Sequence, residues 1–135
     1  MKKSDKPAKV RNPFGELLGL HIIKAGGGNS RCELEITEQL LNPHRVAHGA
    51  VIYAMADTGM GAALYPLLGE DELCATVEIK ITYFAPVPSG LLACDTVVIS
   101  KSRRLAALES EIKQDGKLIA KATGTFAVYR AGGTA

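Results

Sequence analysis

The chain has 135 residues, 47% of them hydrophobic and 22% charged, enough apolar material for one packed domain and too much for disorder throughout. Sixteen Lys and Arg stand against fourteen Asp and Glu, a net charge of +2, which argues against nucleic acid or an anionic membrane surface as the partner. The most apolar stretch is interrupted by His48, Asp57 and several glycines, so no bilayer span is expected.

Residues 1–10 are charged but lack a following apolar core and a small-residue cleavage site. They are expected to be a loose tail rather than a signal peptide, with one domain over 11–130 and a second tail at 131–135. Asn12 and Pro13 open a short helical turn in "NPFGELLGL", as cap and first helical position. "HIIKAGGGNSRCELEIT" then reads as a strand, a glycine turn and a second strand, in which Cys32, Leu34 and Ile36 alternate with Arg31, Glu33, Glu35 and Thr37. A loop over 38–47 carries Asn42, Pro43, His44 and Arg45.

From about His48 to Leu64 the pattern is helical and halts at Pro66. Ala50, Val51, Ile52, Ala54, Met55, Ala56, Met60, Ala62 and Ala63 cover every side, and a helix apolar all round is expected to be enclosed by protein. Four strand-like runs follow. In the first, strict alternation puts Ala75, Val77, Ile79, Ile81 and Tyr83 on one face and Thr76, Glu78, Lys80 and Thr82 on the other. Asp115-Gly116 marks a hairpin, and the last run faces Leu118, Ala120, Ala122, Gly124, Phe126 and Val128 inward. One buried helix and five or six mostly antiparallel strands give an α+β architecture, most simply a sheet wrapped around the helix.

Three cysteines, Cys32, Cys74 and Cys94, with no CxxC pair, favour reduced thiols packed as small hydrophobes and a cytoplasmic setting. His21, His44 and His48 lack metal-ligand spacing. There is no P-loop, no GxGxxG after a strand and no serine nucleophile elbow. No metal and no cofactor are expected.

Asp57 is the exception inside the apolar helix. A lone carboxylate more often serves as a structural hydrogen-bonding partner. Here its neighbours one turn away are Tyr53, Ala54, Met60 and Gly61, with no base to offset burial, so an acid, base or nucleophile role is a fair alternative. His48 and Gly49 fall at the helix start, where backbone N–H groups lack intrahelical acceptors and favour developing negative charge. Eight residues separate Gly49 from Asp57, about 12 Å along a helix. His48 and Asp57 lie on nearly opposite faces. Two antiparallel copies of the helix across a two-fold axis would bring such groups together, which one helix does not easily do. Lys101, Arg103 and Arg104 cluster in "SKSRRL"; a solvated edge is the ordinary reading, a phosphate contact the functional one.

The series N-x(5)-HG-x(7)-D, filled by Asn42, His48-Gly49 and Asp57, resembles the signature of hotdog-fold acyl-CoA thioesterases of the phenylacetate-degradation (PaaI-type) family. "TVEIKITYFAPVPSG" and "SKSRRLAALESEIKQDGKLIAKATGTFAVY" are similar to that family's next strand and closing meander, so the likeness covers roughly residues 13–129. One departure is "HGA", with Ala50, where many members read "HGG". The resemblance implies a hotdog fold, a long central helix wrapped by a five- to six-stranded antiparallel sheet. It also implies homodimers joined edge to edge, often as dimers of dimers, with active sites at the dimer interface and an acyl-CoA substrate. By position, Asp57 would be general base or nucleophile, and Thr76 would orient the attacking water. The Gly49 N–H of the other subunit would polarise the carbonyl, with Asn42 and His48 assisting. Lys101, Arg103 and Arg104 would lie near the CoA phosphates. The rival readings are a hotdog dehydratase or hydratase, which pairs a histidine with an acid, and a non-catalytic acyl-CoA binding module.

Overall fold

A computed structural model describes residues 11–132; the expected tail at 1–10 and residues 133–135 of the expected C-terminal tail lie outside the described residues. Helix α1 (Pro13–Leu18) begins as its sequence dictates, with Asn12 Oδ1 accepting the Gly15 N–H at 3.2 Å and Pro13 in the first turn. Six strands follow: β1 (Leu20–Gly26), β2 (Asn29–Ile36), β3 (Glu72–Tyr83), β4 (Gly90–Lys101), β5 (Leu105–Gln114) and β6 (Lys117–Arg130). They form one sheet in the order β1-β2-β4-β5-β6-β3, with every neighbouring pair antiparallel. The β5–β6 hairpin turns through Asp115 and Gly116 at φ +48° and +81°, the two positive angles that a type I′ turn requires.

After β2 the chain makes a short 3-10 turn at Glu38–Leu40 and crosses the sheet as α2 (Gly49–Leu64), which continues into a 3-10 turn at Tyr65–Leu67 around Pro66. It then descends at the far edge as β3. Helix α2 touches all six strands. Met55, Met60 and Leu64 are wholly buried with Leu34, Leu92, Leu108 and Ile112 of the sheet, each such side chain contributing about 1.5–3 kcal/mol by transfer. Close approach is set by Gly59: a Cβ there would lie 2.8 Å from Thr96 Oγ1. The polar groups beneath the helix are satisfied, since Ser30 Oγ donates to the Gly59 carbonyl at 2.6 Å and Thr96 pairs with Ser110 at 2.7 Å. Cys32 and Cys94 face each other across β2 and β4, both free and buried. A hydrogen bond with Cys94, together with burial, pushes the Cys32 thiol far up, so it packs as a small apolar side chain. No helix among the described residues is long and apolar enough to cross a membrane.

Two expectations are corrected. Strict alternation along β3 fails at Val77: Thr76 pairs with Phe126 and Glu78 with Thr125, leaving Val77 as an extra, bulged residue. Before the bulge Cys74 and Thr76 face inward; after it Ile79, Ile81 and Tyr83 do. Thr76 therefore shares the inner face with Ile79 and Ile81 rather than opposing them. Helix α2, in turn, is not enclosed on every side by the described residues. Ala50 and Tyr53 are exposed and Asp57, Thr58, Gly61 and Ala62 half-buried, a stripe at helical spacing that runs the length of the helix.

Candidate active site

The loop before α2 is shaped by Asn42. Its Oδ1 accepts the N–H groups of His44 at 2.9 Å and Val46 at 3.3 Å, and its carbonyl accepts that of Arg45 at 2.9 Å. These bonds fold the loop back, pair Leu41 with Ala47 and lead the chain into His48. Asn42 thus acts on the site through the path of the backbone.

His48 is the N-cap. Its backbone sits at φ −60°, ψ 133°, and its Nδ1 accepts the Ala50 N–H at 2.9 Å. A neutral imidazole accepting at Nδ1 carries its proton on Nε2. The Val51 N–H goes to the His48 carbonyl at 2.9 Å. Of the first-turn donors Gly49, Ala50 and Val51, only the Gly49 N–H has no acceptor among the described residues.

Tyr83 holds Gly49 from the other side, and sequence reasoning missed it. Its hydroxyl donates to the Gly49 carbonyl at 2.7 Å, and a Cβ at Gly49 would lie 3.2 Å from that oxygen. Burial, with Tyr53 nearby, pushes the Tyr83 phenol above its usual range, which keeps it a donor. Along the sequence Tyr83 is only another inward residue of a strand, with nothing to mark its tie to the helix start.

Asp57 sits on the open stripe, half-buried. Thr76 Oγ1 donates to its Oδ1 at 2.7 Å, a bond made possible by the bulge immediately after Thr76. Among the described residues Asp57 has no ion pair and Oδ2 no hydrogen-bond donor. One oxygen is fixed and the other open. The structure therefore joins Asp57 to Thr76 and groups Asn42, His48 and Gly49, while the two groups stand at different heights of one helix, about 12 Å apart along its axis.

Lys101, Arg103 and Arg104 are exposed at the β4–β5 turn and form no ion pair among the described residues. In register, Lys101 pairs with Ala106, Ala106 with Phe126 and Phe126 with Thr76. The turn is thus at the level of Thr76, beyond β5 and β6. A cavity of about 290 Å³ opens beside His48 and Ala50. Another, of about 440 Å³, lies by the β1–β2 hairpin and includes none of these residues.

The six antiparallel strands around one long helix agree with the family match. The thioesterase superfamily profile covers residues 44–121. The chain belongs to the thioesterase superfamily. Its hotdog fold is shared with the conserved protein PA5202 of Pseudomonas aeruginosa, at 34% identity and a TM-score of 0.87 over 91% of this chain and 100% of that one. A variant of the phenylacetic acid degradation protein PaaI from Thermus thermophilus is 30% identical, with a TM-score of 0.81 over 86% of this chain and 98% of that one. A relative from Saccharolobus solfataricus that bears an esterase name is 30% identical over 84% of this chain and 75% of its own length. Membership in this superfamily makes ester or thioester hydrolysis the class of chemistry against which the site is read.

Proposed function

We propose that the protein is an acyl-CoA thioesterase, cleaving an acyl- or aryl-CoA to the free acid and CoA at sites shared between two subunits. The observation that carries this reading is the Asp57 carboxylate, held at one oxygen by Thr76 on the open stripe of α2. Strand β3, the last in the sheet order among the described residues, lies beside it.

Two copies joined along that edge would continue the sheet and lay the two open helix stripes against each other. The small residues Ala50, Gly61 and Ala62 allow such close approach. The free Gly49 N–H of one subunit would then stand near Asp57 of the other, and pairs of such dimers would give tetramers. In this arrangement the Gly49 N–H polarises the thioester carbonyl and stabilises the oxyanion. Asp57 either activates a water, oriented with the help of Thr76, or attacks the carbonyl itself. Thiolate departure needs little acid assistance. Asn42 and His48 shape and cap the turn that presents the donor, and Lys101, Arg103 and Arg104 receive the CoA phosphates. A CoA substrate and reduced cysteines fit a cytoplasmic protein.

Hydrolysis is favoured over hydration or dehydration because the lone pair of His48 Nδ1 is taken by the Ala50 N–H, leaving its other nitrogen as a donor. The test is thiol release from a panel of acyl-CoAs. Asp57→Asn is expected to keep its oligomeric state and circular dichroism while kcat falls by about 10² to 10⁴, the usual worth of a positioned base. An Asp57→Asn protein with parental turnover sinks the assignment, and a parent that binds acyl-CoA without releasing thiol is a binding module.

A further inference from the structure

The peptide that joins Gly49 to Ala50 is held at both of its polar atoms by side chains. Its N–H, that of Ala50, goes to His48 Nδ1 at 2.9 Å, and its carbonyl, that of Gly49, accepts the Tyr83 hydroxyl at 2.7 Å. The two atoms point to opposite sides of a trans peptide, so the two bonds fix its plane. A helical carbonyl ordinarily serves one N–H four residues on; the hydroxyl takes its second lone pair.

The Gly49 N–H belongs to the preceding peptide. Among the described residues that peptide is tied only at its other end, where the His48 carbonyl accepts the Val51 N–H at 2.9 Å. Between the two planes lie just the φ and ψ of Gly49, a residue with no Cβ to restrict them. A side chain there is no alternative source of stiffness, because a Cβ would lie 3.2 Å from the same hydroxyl. What glycine leaves loose, the clamped plane downstream makes stiff. The anchor is firm: Tyr83 pairs with the buried Ala120, and the next residue, Phe84, donates its N–H to the buried Ile119 at 2.8 Å. We infer that Tyr83 is a positioning residue: without touching substrate, its hydroxyl sets the direction of the Gly49 N–H through the Gly49–Ala50 peptide. The catalytic consequence rests on the thioesterase reading, whereas the clamp can be measured in the free protein.

Tyr83→Phe removes the hydroxyl and keeps a ring that is already 45% exposed, so the fold is not at stake. In acyl-CoA hydrolysis it is expected to lower kcat roughly tenfold with KM within about twofold of the parent, the pattern of an interaction realised in the transition state. In a Gly49→Pro background no N–H remains to be aimed, and the same change is expected to cost less than about twofold more. Amide exchange followed by NMR reads the clamp without substrate. The Ala50 N–H is expected to exchange roughly tenfold faster in Tyr83→Phe, while that of Met60, in mid-helix, keeps the parental rate. Parental kcat in Tyr83→Phe, or a full tenfold loss in the proline background, overturns the positioning role. Unchanged exchange at Ala50 overturns the clamp, and faster exchange at both Ala50 and Met60 overturns it in favour of a general loosening of the helix. Faster exchange at Ala50 alone, in a protein whose parent releases no thiol, leaves the clamp standing and overturns the thioesterase reading.

Discussion

Among the described residues the Gly49 N–H is the one first-turn donor of α2 without an acceptor. Ala50 is bonded to His48 Nδ1 and Val51 to the His48 carbonyl, so a single donor remains at the positive end of the helix dipole. Proline tests it with little disturbance. The first helical position tolerates proline best, and His48, at φ −60° and ψ 133°, already has the extended backbone that a residue before proline adopts. The added ring must displace the Tyr83 hydroxyl by a few tenths of an ångström. Gly49→Pro is expected to fold and dimerise while kcat falls by about 10² to 10³, the typical cost of one lost oxyanion donor; steady-state kinetics beside a thermal melt separate the two effects. Asp57, His48 and Gly49 were legible in the sequence because residue type and spacing along one helix encode them. Asn42 was legible in position, but its three loop bonds were not. Tyr83 was invisible, since a tyrosine bonding a main-chain carbonyl 34 residues away leaves no local pattern.

Among the elements, β1, β2, β5, β6 and both helices could be read from period, capping and turn residues, each a local signal. β3 could be read as a strand but not phased. Its alternation between Ala75 and Tyr83 looks regular, and the bulge at Val77 appears only when the strand is paired with β6. That bulge puts Thr76 on Asp57 and Tyr83 on Gly49 in one strand. For α2, small residues gave two meanings to one pattern: Ala and Gly can line a buried face or an open stripe awaiting a partner, and the helix has both. Gly59 belongs to the buried face. Gly59→Ala would set a Cβ 2.8 Å from Thr96 Oγ1 and 3.4 Å from Cys94 Sγ, where the Thr96 hydroxyl is held by Ser110. Helix propensity favours alanine by about 1 kcal/mol, but the overpacking costs about 1–3 kcal/mol. Urea unfolding is expected to show a net loss of stability, and a more stable Gly59→Ala protein would mean that the helix can rise off the sheet freely.

At the scale of the whole molecule, the proposed reading assigns the two halves of the chemistry to different heights of a single helix. If each site takes Asp57 from one subunit and the Gly49 N–H from the other, two inactive variants must complement each other. In a dimer of Asp57→Asn with Gly49→Pro, one site carries both defects and the other carries neither, because the intact Asp57 meets the intact Gly49 across the interface. Random pairing of equal amounts leaves about a quarter of all sites intact, so co-expression is expected to return about a quarter of parental kcat per chain although each variant alone is nearly inactive. The same fraction holds for dimers or dimers of dimers, since only the pairing across the β3 edge matters. If both groups serve a site within one chain, every site in the mixture carries one defect, and activity stays at the average of the two variants. Thiol release from the co-expressed protein, with subunit ratio checked by mass spectrometry, decides between a shared and a private site without any need to crystallise the assembly.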